Sequence, residues 1–234
     1  MYTYLLINLL SISVPLWRSF DPRISLYKEW KILFPAILIP ALLFIGWDVL
    51  FTHWGVWGFN PRYICGWYLL GLPIEEWLFF LCIPYASIFI YVALNYFIKK
   101  DLFQQSSKYI SIVLIIALGV LGVLYWGRLY TSTTFILLSV FIFLMQFVWK
   151  VSYLGRFYLS YLVVLIPFFI VNGILTGTGI EEEVVWYNDA ENLQIRMGTI
   201  PVEDTFYGML LIMMGVALLE WFRKRMHLNK GHMR

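Results

Sequence analysis

The chain has 234 residues, a formal net charge of +3 and a mean hydropathy of +0.76; 61% of its residues are hydrophobic, 20% aromatic and only 13% charged. Soluble domains carry about twice that share of charge, which excludes a water-soluble globule and predicts an all-α integral membrane protein. So small a net charge points to no nucleic-acid partner. Two cysteines, Cys65 and Cys82, make neither a disulfide framework nor a metal motif, and Cys82 is expected to pack as a small apolar residue.

In chain order, Met1-Tyr2-Thr3-Tyr4 leads into an apolar run with no basic n-region and no small-residue cleavage site, so the first segment reads as a membrane helix rather than a cleaved signal peptide. Apolar stretches of spanning length fall at about 2–19, 32–50, 76–98, 109–126, 133–149, 157–176 and 204–222. Moved on by 128 residues, the first three become 130–147, 160–178 and 204–226 and overlay the last three. The expected architecture is therefore seven transmembrane helices as a 3+1+3 parallel tandem repeat. Residues 1–98 form the first three-helix unit, 99–128 a linker with the fourth helix, and 129–234 the second unit with a basic tail. Three spans reverse the chain and a fourth restores its direction, so both units enter the membrane in the same sense. Of the 17 Lys and Arg, 14 fall in the loops after helices one, three and five and in the tail, leaving Arg62, Arg128 and Arg196 on the other side. The positive-inside rule then puts the N-terminus outside and the C-terminus in the cytoplasm.

Two acidic pairs recur in this apolar setting: Pro73-Ile74-Glu75-Glu76 and Pro201-Val202-Glu203-Asp204, each Pro preceded by 13 residues by Phe59-Asn60 or Tyr187-Asn188. Pro followed by two acids also reads as an ordinary helix start, with Pro at the first helical position and carboxylates complementing the dipole. Apolar sequence from Trp67 to Leu72 and the recurrence with an upstream Asn favour a site instead, since carboxylates at membrane depth are functional candidates. Desolvation penalises the anion, so a carboxyl in an apolar pocket stays protonated and serves as a general acid. Neighbours on a helix point about 100° apart, so the two members of a pair do different jobs. The first is Glu in both motifs, which predicts that Glu75 and Glu203 carry the acid chemistry in one shared, aromatic-lined cavity, with Glu76 and Asp204 orienting them.

Other polar residues divide between site and scaffold. Asp48, beside Trp47, aligns with Leu175 in the second unit and either joins the site or sits at the interface. Asn60 and Asn188 read as caps or turns of the outer loops, and Arg62 and Arg196 as counter-charges to the acids. His53 reads as interfacial, His227 and His232 as part of a solvated tail, and Glu181, Glu182 and Glu183 as a solvated face. Most Trp and Tyr residues serve interface belts and the core; a subset near the acids would stabilise a carbocation through their π faces.

No GxGxxG follows a strand, no P-loop is present, and no Cys/His cluster suggests a transition metal. A retinal protein is excluded because Lys224 lies in the basic tail rather than within helix seven, and the aspartate-rich pairs of magnesium–diphosphate prenyl transfer are missing. Trp47-Asp48, Phe59-Asn60-Pro61, Leu72-Pro73-Ile74-Glu75-Glu76-Trp77-Leu78-Phe79-Phe80 and Ile200-Pro201-Val202-Glu203-Asp204-Thr205-Phe206 together resemble the lycopene cyclase domain, repeated twice over essentially the whole chain. This small integral-membrane family occurs as two bacterial subunits, as a fused chain or as the cyclase half of a fungal bifunctional enzyme, and the chain is similar to the fused form. The resemblance implies a bacterial cytoplasmic-membrane enzyme that takes lycopene or a related acyclic carotenoid from the bilayer. Protonation of the terminal double bond, attack by an internal alkene and proton loss would give an ionone ring, with β expected over ε. The reaction is redox-neutral, so no cofactor and no metal is expected. Ring number and self-association into a homo-oligomer stay open. Two rival readings remain: a small 3+1+3 transporter, and a divalent-cation site built from the four carboxylates.

Overall fold

The structure, a computed structural model, describes residues 2–232, with side chains as far as Met226. His227 and His232, read above as part of a solvated tail, lie outside the described side chains. Seven helices are present among the described residues: α1 Thr3–Arg18, α2 Trp30–His53, α3 Ile74–Phe97, α4 Ser107–Leu124, α5 Leu129–Phe143, α6 Leu154–Leu175 and α7 Val202–His232. A π-helical turn, Leu144–Val148, extends α5. Six of these are long and apolar enough to cross a membrane. α1, at 16 residues, falls just short of the usual minimum of about 17, and it ends where Arg18 turns to pair with Asp21 at 2.7 Å.

Packing follows the apolar sequence. The helices bury one broad core, with Leu33, Ala36, Phe44, Ile88, Leu138, Met213 and Val216 at its centre, and turn Leu10, Leu42, Ile116 and Ile166 outward. Lipid supplies no polar partner for backbone groups, so the spans must be helical. α1 packs on α3 and α5 on α7; α2 packs on α7 and α6 on α3. α4 lies along α5, with Ser139 Oγ donating to the Ile115 carbonyl at 2.9 Å.

Short strands organise the loops at the end of the bundle where α3 and α7 begin. A hairpin of β2 (Tyr68–Leu69) and β3 (Leu72–Pro73) feeds α3, turning through Leu70 and Gly71 at left-handed φ of 54° and 83°, which a two-residue hairpin turn requires. The hairpin of β5 (Arg196–Met197) and β6 (Ile200–Pro201) feeds α7 in the same register 128 residues on. Between them, β1 (Trp57–Phe59) pairs antiparallel with β4 (Val185–Tyr187), and Gly58 faces Trp186 at the centre. Those two residues are themselves 128 apart, so the ladder maps onto itself when the halves are exchanged, as a two-fold axis demands. Its flanks agree: Asn60 N–H donates to the Val184 carbonyl and Asn188 N–H to the Val56 carbonyl, both at 2.8 Å.

Two details of the sequence reading change. Pro73 and Pro201 stand one residue before their helices, in extended backbone at the ends of β3 and β6, rather than at the first helical position. The hairpin, not the helix, uses their fixed φ. At the 128-residue offset that the loop bonds obey, Asp48 corresponds to Thr176 and Trp47 to Leu175, so the pairing of Asp48 with Leu175 was one residue out of step.

Candidate active site

The acidic pairs occupy the first turns of α3 and α7, and the loops decide which member faces where. Glu75 Oε1 accepts the backbone N–H of Cys65 at 2.6 Å, and Glu203 Oε1 accepts that of Leu193 at 2.7 Å and the Thr131 hydroxyl at 2.6 Å. Both side chains are fully buried, yet neither lines the cavity described below. Each clasps the loop ahead of its helix, and the second Oε has no hydrogen-bond partner among the described residues. The expectation that Glu75 and Glu203 share one cavity is therefore corrected. With a turn of about 100° per residue, anchoring the first member to the loop swings the second inward.

Glu76 and Asp204 do line one cavity, of about 340 Å³, between the halves of the chain. Tyr4, in the first turn of α1, donates its hydroxyl to Glu76 Oε2. Asp204 accepts two hydroxyls, Tyr130 on Oδ1 and Tyr187 on Oδ2, the latter at 2.9 Å. Burial, together with the Asp204 charge, pushes the Tyr187 phenol well above its usual range, which keeps it an O–H donor. A third carboxyl, Asp48, lines the same cavity and is 1% exposed. Its Oδ1 accepts the Trp57 indole N–H and the Thr52 hydroxyl, and its Oδ2 has no partner among the described residues. Among the described residues no group of three His, Cys, Asp or Glu is placed to hold a metal ion, so the cation site considered above is not assembled.

Aromatic rings close the acidic end. Trp57 meets Tyr130 at 5.0 Å, Tyr207 at 6.0 Å and Tyr187 at 6.2 Å between centroids, and Tyr130 stacks on Tyr187 at 5.9 Å. All four line the cavity. The Tyr207 hydroxyl is buried without a hydrogen-bond partner among the described residues. Carboxyls and π faces turned into a mainly apolar space, with Ser11, Ser87, Asn172 and Thr176 as its other polar lining, suit the handling of protons and of cations that water would quench.

The remaining candidates are scaffold. Asn60 Oδ1 accepts the Arg62 N–H at 3.0 Å and its amide donates to Glu182, while Asn188 Oδ1 accepts the Ala190 N–H at 3.1 Å, so both are loop caps. Arg62 pairs with Glu181 and Glu182, and Arg196 with Asp189 at 2.6 Å; these are loop carboxylates, not the acidic pairs. The Arg196 guanidinium holds Asp189 below the usual carboxylate range. Glu181 and Glu182 are thus ion-pair partners, not merely a solvated face. Trp47 meets Tyr207 edge to face at 5.1 Å outside the cavity lining, and Cys82 is buried in the apolar interior. Sequence reasoning did not single out Tyr4, Trp57, Tyr130 or Tyr207. Tyr130 and Tyr4 do open their helices, but a Tyr there also fits an interface belt.

The family model for lycopene cyclase matches the chain over residues 1–94 and again over 127–222. These segments hold both acidic pairs and most of the cavity wall, and the chain belongs to the lycopene cyclase family, whose role is carotenoid cyclisation. No curated protein and no solved structure matches it.

Proposed function

We infer that the chain is a carotenoid cyclase that closes the acyclic ends of lycopene into ionone rings by acid-initiated, redox-neutral chemistry, with Glu76 as proton donor and Asp204 as acceptor. The observation that carries this reading is that one apolar, aromatic-walled cavity holds a carboxyl from each half of the chain. Hydrogen bonds to a carboxylate favour its charged form. Asp204 has a hydroxyl donor on each oxygen, whereas Glu76 has one, from Tyr4. Asp204 is therefore the ionised base and Glu76 the acid that keeps its proton.

Glu76 adds its proton to the terminal carbon–carbon double bond, leaving a tertiary cation. The neighbouring alkene attacks that cation and closes a six-membered ring, moving the positive charge into the ring. The faces of Trp57, Tyr130, Tyr187 and Tyr207, with the Asp48 carboxylate, stabilise the charge in a site without bulk water. Asp204 removes a ring proton to form the ring double bond, which restores neutrality without any redox partner; removal beside the chain gives β. Asp204 then gives up its proton to water and Glu76 takes one from water, which returns the pair to its starting state.

The recurring loop bonds and the doubled family match support a chain of two three-helix units, 1–98 and 129–234, joined by a linker helix in 99–128. The distribution of Lys and Arg supports an outer N-terminus in the bacterial cytoplasmic membrane. Expression in lycopene-accumulating bacteria tests the reading: cyclic carotenoid should replace lycopene in the extracted pigment. Unchanged lycopene in cells that carry the folded protein would leave the transporter reading in its place.

A further inference from the structure

This inference rests on the cyclase reading and concerns how the substrate reaches the acids. The cavity does not stop at the carboxyls. Its wall runs along α3 from Glu76 to Ile90, and 14 residues of helix rise about 21 Å. The carboxyls thus lie at one end of a long shaft, walled by α1, α3, α6 and α7. The shaft meets the lipid-facing surface between α1 and α6, where Leu10 and Pro167 both line it and both lie exposed, Leu10 at 70%.

The related place in the other half, between α5 and α2, is shut. The shaft residues Ala86, Asn172 and Leu175 correspond at the 128-residue offset to Met214, Phe44 and Trp47. Phe44 and Trp47 fill that side, meeting Tyr207 edge to face with centroids at 4.8 and 5.1 Å. α4 also covers α5, whereas no helix among the described residues covers α1 in the same way. The two halves share one pattern of loop bonds and helix packing, so this difference in side-chain volume and cover decides which cleft is open.

We propose that the cleft between α1 and α6 is a lateral portal through which a long acyclic polyene passes directly from the bilayer, one end first. The reacting end sits between Glu76 and Asp204 while the unreacted remainder lies in the shaft and the cleft. An apolar substrate then never crosses water, whose exclusion is worth about 25 cal/mol per Å² of apolar surface. A conjugated chain is stiff, and the acids lie at the blind end, so both ends cannot reach them together. A second ring requires release and rebinding by the other end.

The test transplants the closed side onto the open one. Ala86→Met combined with Asn172→Phe should slow cyclisation in lycopene-loaded vesicles by tenfold or more, on the order of the loss that misplacing a reacting group brings. Leu10→Trp, at the exposed mouth where folding cannot depend on it, should slow it in the same direction. Leu42→Trp, equally lipid-facing on α2 (62% exposed), should not. Should the double variant fail to reach the membrane, Leu10→Trp against Leu42→Trp decides alone. Wild-type protein that leaves lycopene unchanged removes the cyclase reading and the portal with it. Active wild type alongside portal variants at undiminished rates overturns the portal alone.

Discussion

Glu76→Gln separates the two members of the acidic pair. Gln keeps the volume of Glu, and its carbonyl still accepts the Tyr4 hydroxyl that now reaches Glu76 Oε2. Since Glu76 is the protonated member, the change swaps one neutral acceptor for another and costs at most about 1 kcal/mol, so the variant should fold and insert. It cannot deliver a proton. A positioned general acid contributes roughly 10²–10⁴ in rate, or about 2.7–5.4 kcal/mol at 1.36 kcal/mol per tenfold. The chemical loss therefore exceeds the structural one by a factor of about 2.7 or more in free energy. Glu75→Gln is the matched control: its Oε1 accepts the Cys65 N–H at 2.6 Å, a bond Gln also accepts, and it does not line the cavity. Its cyclisation rate should stay within about tenfold of wild type. The assay is ring formation in lycopene-loaded vesicles, followed by pigment separation and absorbance and normalised to protein present. Glu76→Gln turning over at near wild-type rate, with folded Glu75→Gln inactive, would refute the assignment and restore the first member as the acid.

Asp204→Asn removes the base and keeps one oxygen that accepts from Tyr130 or Tyr187, its amide NH2 facing the other hydroxyl; it should shift the ring-isomer ratio as well as lower the rate, and an unchanged ratio at lower rate would argue against proton removal by Asp204. Cyclisation in deuterated water should place one non-exchangeable deuterium in each ring, read by mass spectrometry, and unlabelled rings would exclude protonation as the first step. At Gly58 an added Cβ would run into the Trp186 indole, so Gly58→Val should lower thermal stability by about 1–3 kcal/mol through overpacking, seen as a lower melting temperature in detergent. With Cys65→Ser and Cys82→Ser in place, a membrane-impermeant maleimide should label Glu183→Cys in intact cells and Gln105→Cys only after lysis, both positions being exposed; the reverse pattern would invert the topology.

Much of this molecule was legible before folding. Apolar runs of spanning length placed six of the seven helices within a few residues, since lipid leaves the backbone no alternative; 76–98 became Ile74–Phe97 and 157–176 became Leu154–Leu175, whereas α7 runs ten residues past its expected end at 222 and takes Lys224, expected in the tail, into the helix. The doubled Pro-x-Glu-Glu/Asp motif led to the family and to the end of the bundle where Glu76 and Asp204 line the cavity. Which carboxyl faces the cavity was not legible. α3 and α7 are apolar on every side, so periodicity carries no orientation, and two adjacent acids differ only by a turn of about 100°. That turn is set by backbone N–H groups ten residues upstream, at Cys65 and Leu193. Of the three hydroxyls bonded to the acids, that of Tyr187 lies 17 residues before Asp204 in β4, but the other two come from Tyr4, 72 residues before Glu76, and Tyr130, 74 before Asp204. Separations of that length leave no local pattern, and only the packing of α1 on α3 and of α5 on α7 brings those groups together.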